Sequence, residues 1–306
     1  MKKRILQLTL VITVIVSLFI PQVQAFAISA MSVFRVDSAR TITITMMDIE
    51  EMMAYLEEHQ DLFQQLRDNH LGEHGDLTEK EHAAREHFER DMSQYLLTDI
   101  SEFNAFPVQL PQALSDETPV FSASDASITE LTLDVEGINT LLAQMHGVPL
   151  FDESLNETIV EVHTPAVLVA QYEDSEMLLV ATQMMHIEAS ANVKESLRTT
   201  LLTMPFISAN LRGQLAAIPI DSRDIYLPVI AGFGREVSIG NYIGYIYASG
   251  DLSMLVDQMG DGLLTHDVAN DASVLVWVQD GVIYILAGSN TDNELIDIAR
   301  SMRLWS

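Results

Sequence analysis

The sequence predicts an α+β fold built on a mostly antiparallel sheet. Strand patterns dominate after residue 127, and the helical patterns come in blocks between them. Several strand candidates follow one another after only a few residues, whereas parallel pairing needs a crossover of a dozen or more. A parallel α/β sheet would instead show strict strand–helix alternation. We therefore expect an antiparallel α+β domain over residues 127–306, with helices packed on one face of its sheet.

The N-terminal segment, residues 1–25, has the pattern of an export signal. A basic stretch at residues 2–4 precedes an apolar stretch at residues 5–20. Val23 and Ala25 then supply small side chains at the positions that a signal peptidase reads. The apolar stretch is shorter than the roughly 20 residues of a spanning helix, but apolar residues also follow it. We expect either a cleaved signal peptide or an uncleaved membrane anchor, and in both cases an extracytoplasmic location.

Composition excludes several classes of function. The chain has 44 acidic and 16 basic side chains, which give it a formal net charge of −28. Such a body repels the phosphates of nucleic acids and anionic lipid headgroups, so nucleic-acid binding is excluded. The sequence contains no cysteine, which removes disulfides, thiolate nucleophiles, zinc–cysteine sites and a lipoprotein anchor.

Residues 26–126 predict a strand, a charged helical pair and a proline-rich connection. Asp48 and Glu51 have the spacing of a capping box, and dense charge along the pair indicates a solvated surface excursion at 48–97. The predicted elements are a strand at 41–45 and helices at 49–69 and 78–97.

Residues 127–306 predict most of the sheet. Asp280–Gly281 is the dipeptide that a two-residue hairpin turn favours, and residues 291–294 form a helix-capping sequence. The three strands between residues 158 and 183 predict an antiparallel meander. The predicted strands are 127–135, 158–163, 167–172, 177–183, 236–239, 242–248, 274–278 and 282–286. The predicted helices are 137–146, 192–203, 208–218 and a terminal helix to about residue 303.

A search for metal-binding spacing selects no site. Five of the nine histidines lie between His59 and His87, among many carboxylates. His82 and His87 are five positions apart, which separates them by about 140° around a helix, whereas two ligands on one face need three or four. His70 and His74 have the right spacing, but neighbouring glycines indicate a loop. We therefore predict no metal ligand.

Catalytic and cofactor motifs give no candidate either. The chain has no G-x-S-x-G pentapeptide and no Walker loop. A G-x-G at 232–234 lacks the surrounding strand–helix unit of a dinucleotide site. No catalytic residue and no cofactor is predicted, and the protein is expected not to be an enzyme.

Three tyrosines are the groove candidates. Tyr242, Tyr245 and Tyr247 surround Gly244 in an apolar strand, and tyrosine combines apolar area with a polar tip. The alternative is an ordinary sheet face with Tyr245 and Tyr247 on one side.

The C-terminal sequence resembles a known pattern. A strand with Trp277, the turn at 280–281, a strand with Tyr284 that ends at Gly288, and the helix sequence E-L-x-x-I-A-x-S at 294–301 follow in order. This order resembles the closing hairpin and helix of an uncharacterised domain family of bacterial extracytoplasmic proteins, some of them anti-sigma-factor proteins. The resemblance implies kinship with the lipoprotein-carrier and periplasmic sigma-regulator fold, a curved antiparallel sheet partly wrapped round helices. It implies no catalytic residues.

These observations favour a non-enzymatic extracytoplasmic protein, secreted or anchored in the membrane through its N-terminal segment. We expect it to bind an apolar ligand or a protein partner in envelope sensing or regulation. One alternative is an accessory or structural subunit of a membrane complex, such as a transporter. Another is an exported hydrolase.

Overall fold

A computed structural model describes most of the chain and confirms the α+β class. The signal segment with Val23 and Ala25, and the histidines at 70–87, lie outside the described residues. Within the described ranges, no helix combines the length and the apolar composition needed to cross a membrane. The structure describes residues 39–59, 96–144, 148–219, 224–252, 254 and 272–304.

Groups of strands are separated by helices along the chain. The strands are β1 (Ala39–Ile44), β2 (Leu96–Leu97), β3 (Gln109–Pro111), β4 (Val120–Ser124), β5 (Ser127–Thr132), β6 (Ile159–Thr164), β7 (Val167–Tyr172), β8 (Met177–Thr182), β9 (His186–Glu188), β10 (Ile225–Ile230), β11 (Arg235–Ile239), β12 (Tyr242–Tyr247), β13 (Ser273–Gln279), β14 (Val282–Gly288) and β15 (Met302–Leu304). The α-helices are α1 (Met46–Glu58), α2 (Val135–Leu142), α3 (Ala191–Thr203), α4 (Ala209–Ala216) and α5 (Asp292–Arg300).

An eight-stranded antiparallel sheet forms the centre of the fold, in the order β11-β12-β13-β14-β8-β7-β4-β2. Its central strands are buried on both faces, which is why they are apolar runs without a polar alternation. In β13, Leu275 and Trp277 enter one core cluster and Val274 enters another on the opposite face. Helix α5 covers the first face through Leu295, and Leu252 packs on the second.

A second core forms between the three-stranded sheet β5-β6-β9 and the helices α2, α3 and α4. Val160 of β6 and Ile187 of β9 point into this core and are almost completely buried. They share it with Val193 and Leu197 of α3. Since side chains alternate along a strand, the neighbours of Val160 and Ile187 point the other way, toward solvent. We call that solvent side the outer face of the three-stranded sheet.

Two turn and capping predictions are confirmed. Asp280 and Gly281 adopt positive φ angles of 53° and 79°, as a primed hairpin turn requires. Thr291 and Glu294 form a reciprocal capping box at the start of α5.

Three predictions of local structure are wrong. Helix α1 begins at Met46, and Thr45 rather than Asp48 starts it: the N–H of Thr45 donates to Asp48 Oδ2 at 2.7 Å, and the N–H of Asp48 donates to Thr45 Oγ1 at 3.1 Å. Leu96 and Leu97, predicted as the end of a helix, instead pair with β4.

The third wrong prediction is the antiparallel meander between residues 158 and 183. Strand β6 pairs with β5 and β9, while β7 pairs with β8 and β4. The chain therefore changes sheet between β6 and β7. The two strands contribute to different cores. Pairing also joins the predicted segments 26–126 and 127–306: β1 pairs in parallel with β10, and β4 pairs with β7.

Candidate functional site

The three groove candidates, Tyr242, Tyr245 and Tyr247, lie on both faces of β12. Tyr242 packs against the core around Trp277, whereas Tyr247 packs against the cluster on the opposite face of the sheet. The hydroxyl of Tyr242 donates to Asp280 Oδ1 at 2.9 Å, and that of Tyr245 donates to Glu236 Oε2 at 3.0 Å. Two of the three tyrosine hydroxyls are thus hydrogen-bonded to carboxylates at the surface.

Tyr247 offers a test of this packing. Burial raises its pKa to about 12, although a hydrogen bond with the backbone of Ile230 acts in the opposite direction. The fold therefore favours the neutral phenol, so the stability linked to Tyr247 is complete below its ordinary pKa of 10.0 and is lost as the pH rises toward the folded value. We expect Tyr247→Phe to lower the amplitude of the late phenolate absorbance step in an alkaline titration. An unchanged late step would contradict the burial of Tyr247.

A surface depression between α3 and the segment that follows α2 is also unsuited to an apolar ligand. It is lined in part by Leu150, Glu195, Ser196 and Thr199. Its lining is largely polar, so it does not favour the apolar ligand expected from the sequence.

Strands β6 and β9 carry mirrored sequences, E-V-H at 161–163 and H-I-E at 186–188. They pair antiparallel, so that Glu161 lies opposite Glu188 and His163 lies opposite His186. The central valine and isoleucine point into the second core. All four polar side chains therefore share the outer face of the three-stranded sheet.

Strand β5 extends this pattern by one carboxylate. Glu130 pairs with Glu161, which in turn pairs with Glu188. Three glutamates thus form a row across three strands, with the two histidines in the next row. We call the five residues Glu130, Glu161, His163, His186 and Glu188 the Glu/His array.

Side-chain atoms of the array lie close together. His163 Nε2 is 3.3 Å from Glu161 Oε2 and 3.6 Å from Glu188 Oε2. The rings of His163 and His186 are stacked, with centroids 4.3 Å apart and planes inclined by 17°. The His163 side chain is 21% exposed, while Glu161 is 42% and Glu188 is 61% exposed, so the cluster is open to solvent.

The row of glutamates is electrostatically unfavourable by itself. Like charges directly opposite one another on paired strands destabilise a sheet. Within the described part of the chain, no lysine or arginine forms an ion pair with the array; for example, Arg40 pairs with Asp224 and Arg235 with Asp292. A bound cation would relieve this repulsion.

Three residues of the array present ligand atoms at a spacing compatible with a metal ion. One ligand atom each from Glu161, His163 and Glu188 can be chosen so that all three lie within 4.8 Å of one another. Imidazole nitrogen and carboxylate oxygen are ligands for a divalent ion. The arrangement offers no activated nucleophile.

The sequence search missed these residues because it tested helical spacing. The signal that would find them is the two-residue spacing of Glu161 and His163 within a strand, repeated in reverse at His186 and Glu188. The spacing alone places each pair on one face of its strand, but the register is needed to bring the two pairs together.

Comparison of the chain with protein-family models, with curated proteins and with solved structures finds no match. The resemblance of the C-terminal pattern to an extracytoplasmic domain family stays a prediction, and the function is argued from the site.

Proposed function

We propose that this chain is a non-enzymatic extracytoplasmic protein that binds a positively charged ligand through the Glu/His array. The observation that carries the proposal is the row Glu130–Glu161–Glu188, which faces solvent on three paired strands. The export pattern of the first 25 residues supports the location.

The electrostatics of the whole chain favour the same sign of ligand. A formal net charge of −28 attracts cations from a distance, and adjacent carboxylates concentrate that attraction locally. Binding would also remove the repulsion within the row. Relief of this repulsion therefore makes the free energy of binding more favourable.

The backbone beneath the array is held in place. Val160 is 4% and Ile187 is 2% exposed, and both pack in the second core with α3. The Cα positions of the array are consequently fixed before a ligand arrives, which lowers the entropy cost of binding.

A role as an accessory subunit of a membrane complex is the second candidate. Strand β5 lies at the edge of the three-stranded sheet, and all six of its residues are exposed. Exposed edge strands are the sites where another protein adds a strand. Ile128 and Leu131, 61% and 49% exposed, provide apolar contacts on the two sides of β5.

The test is recovery of the ligand from the native cell envelope. The affinity-purified full chain is compared with a triple variant, Glu130→Gln, Glu161→Gln and Glu188→Gln. Bound metals are measured by elemental analysis, and bound molecules and proteins by mass spectrometry. We expect the triple variant to lose a stoichiometric ligand that the unaltered chain retains.

The control is a second triple variant with the same change of charge at exposed glutamates outside the array, Glu50→Gln, Glu102→Gln and Glu153→Gln. It should retain the ligand. If the array variant retains the same set of bound species as the unaltered chain, the proposed function is wrong.

A further inference from the structure

We infer that Glu161, His163 and Glu188 bind one divalent transition-metal ion, of the class that includes Zn²⁺, Ni²⁺ and Cu²⁺. This inference rests on the proposed function, since it names the chemical class of the cation that the array takes.

The spacing of the ligand atoms fits such an ion. A tetrahedral zinc site with bonds of about 2.1 Å has neighbouring ligand atoms about 3.4 Å apart. His163 Nε2 lies 3.3 Å from Glu161 Oε2 and 3.6 Å from Glu188 Oε2. Two of the three separations therefore need almost no adjustment, and the third, between two exposed glutamates, closes by side-chain rotation.

The donor set selects the class of metal. Ca²⁺ and Mg²⁺ prefer sites made of oxygen ligands, whereas imidazole suits zinc, copper and nickel. Soft ions such as Cu⁺ prefer sulfur ligands, and none of the three ligand residues carries sulfur. One imidazole and two carboxylates together therefore favour a borderline divalent ion.

His186 and Glu130 extend the site on either side. The ring of His186 is stacked on that of His163, so it restricts the plane of the ligand ring and holds a second imidazole close by. Glu130 lies beside Glu161 in the strand register and adds negative charge to the neighbourhood of the ion. Neither residue is needed for the three-ligand set.

A proton is the competing occupant of the same place. If Nε2 of His163 carries a proton, it can donate to Glu161 Oε2 at 3.3 Å, with Glu188 Oε2 at 3.6 Å. The same two distances would then need no metal ion. Metal ions bind through the deprotonated nitrogen, so direct measurement of bound metal near neutral pH separates the two cases.

The experiment uses the untagged full chain, freed of metal with a chelator and then dialysed. Zn²⁺ binding near neutral pH is measured by calorimetry and by metal analysis, for the unaltered chain and for the variants His163→Gln and Glu188→Gln. The control is His59→Gln: the ring of His59 is stacked on Tyr55 in α1 and is not part of the array. Any zinc held by other histidines is common to all four proteins and cancels in the comparison.

We expect both array variants to lose one equivalent of Zn²⁺, or to bind it at least about tenfold more weakly, because losing even an outer-shell partner of a metal site costs 10–100-fold in affinity. The His59→Gln variant should retain that equivalent, and excess Ca²⁺ should not displace it. Circular dichroism checks that each variant is folded.

Three results would overturn the inference. If the unaltered chain and His163→Gln bind equal amounts of Zn²⁺ with equal affinity, the array is not the metal site. If no protein binds Zn²⁺ but the triple glutamine variant still loses another ligand from the cell envelope, the inference fails while the proposed function stands. If that variant loses nothing, both fail.

Discussion

Replacing Trp277 by alanine is expected to lower the free energy of unfolding by about 3–5 kcal/mol. The side chain is fully buried at the centre of β13. Its ring is stacked on that of Tyr284 with centroids 5.2 Å apart, and its Nε1–H donates to Gln279 Oε1 at 3.3 Å. The truncation would remove the stacking and open a cavity in the main core.

The surroundings of Trp277 have little freedom to close that cavity. The backbone of Gly244 lies against it: a Cβ at Gly244 would come within 3.1 Å of both Trp277 Cβ and the carbonyl oxygen of Val276. Both neighbouring strands are also fixed by pairing, β12 through Gly244 and β14 through Tyr284. Because a cavity costs more where the structure cannot relax, we expect a value in the upper part of the range for large-to-small changes.

Urea unfolding followed by circular dichroism measures this loss. Ile243→Ala is the matched control, since Ile243 lies on the adjacent strand but is 50% exposed. It should change the free energy of unfolding by no more than about 0.5 kcal/mol. Equal effects of the two substitutions would show that Trp277 is not at the centre of the core.

Replacing Asp48 by alanine is expected to cost about 3 kcal/mol, because it removes the acceptor that joins two helices. Asp48 is 6% exposed and accepts a hydrogen bond from the backbone N–H of Thr45 at 2.7 Å, at the start of α1. It also accepts one from the hydroxyl of Ser208, which caps α4, and one from Asn210 Nδ2 at 2.9 Å. Alanine would leave these donors without this acceptor.

The pH dependence gives this prediction a second readout. Burial raises the pKa of Asp48, but the hydrogen bonds from Ser208, Thr45 and Asn210 together outweigh it, so the pKa lies below the ordinary 3.8. A lowered pKa contributes stability above 3.8 that is lost as the pH falls through the folded value. We therefore expect the difference in stability between the unaltered chain and Asp48→Asn to shrink below pH 3.8.

Chemical unfolding at neutral and at acidic pH measures both effects. Glu50→Ala serves as the control, because Glu50 is an exposed carboxylate in the same helix. If Asp48→Ala and Glu50→Ala are equally stable, the link between α1 and α4 does not hold the fold together.

The strands of the main sheet could be predicted from the sequence, because burial on both faces leaves a run of apolar residues between turn signals. The hairpin β13–β14 is the clearest case: Asp280–Gly281 predicts the turn, and the turn sets the register that places Trp277 opposite Tyr284. Helix α5 was predicted from Thr291 and Glu294 for a similar reason, since a capping box is a local interaction.

Pairing between distant segments could not be predicted. Strand β6 follows the same local rules as β7, and nothing within its sequence indicates that it joins β5 and β9. The Glu/His array depends on that pairing, because Glu161 and Glu188 belong to strands separated by the β7–β8 hairpin. Local spacing shows that Glu161 and His163 share a face, but only the tertiary register shows that His186 and Glu188 share it too.

The pairing of β1 has a consequence for the order in which the molecule assembles. Gln214 of α4 accepts a hydrogen bond from the N–H of Thr43 and donates one to the carbonyl oxygen of Thr43. The two residues are 171 positions apart in the sequence. A contact this distant in sequence requires closure of a long loop before any contact energy is gained. During synthesis, β1 emerges long before α4 and β10. Although β1 is made first, it can pair with β10 and contact α4 only after those later segments have been synthesised.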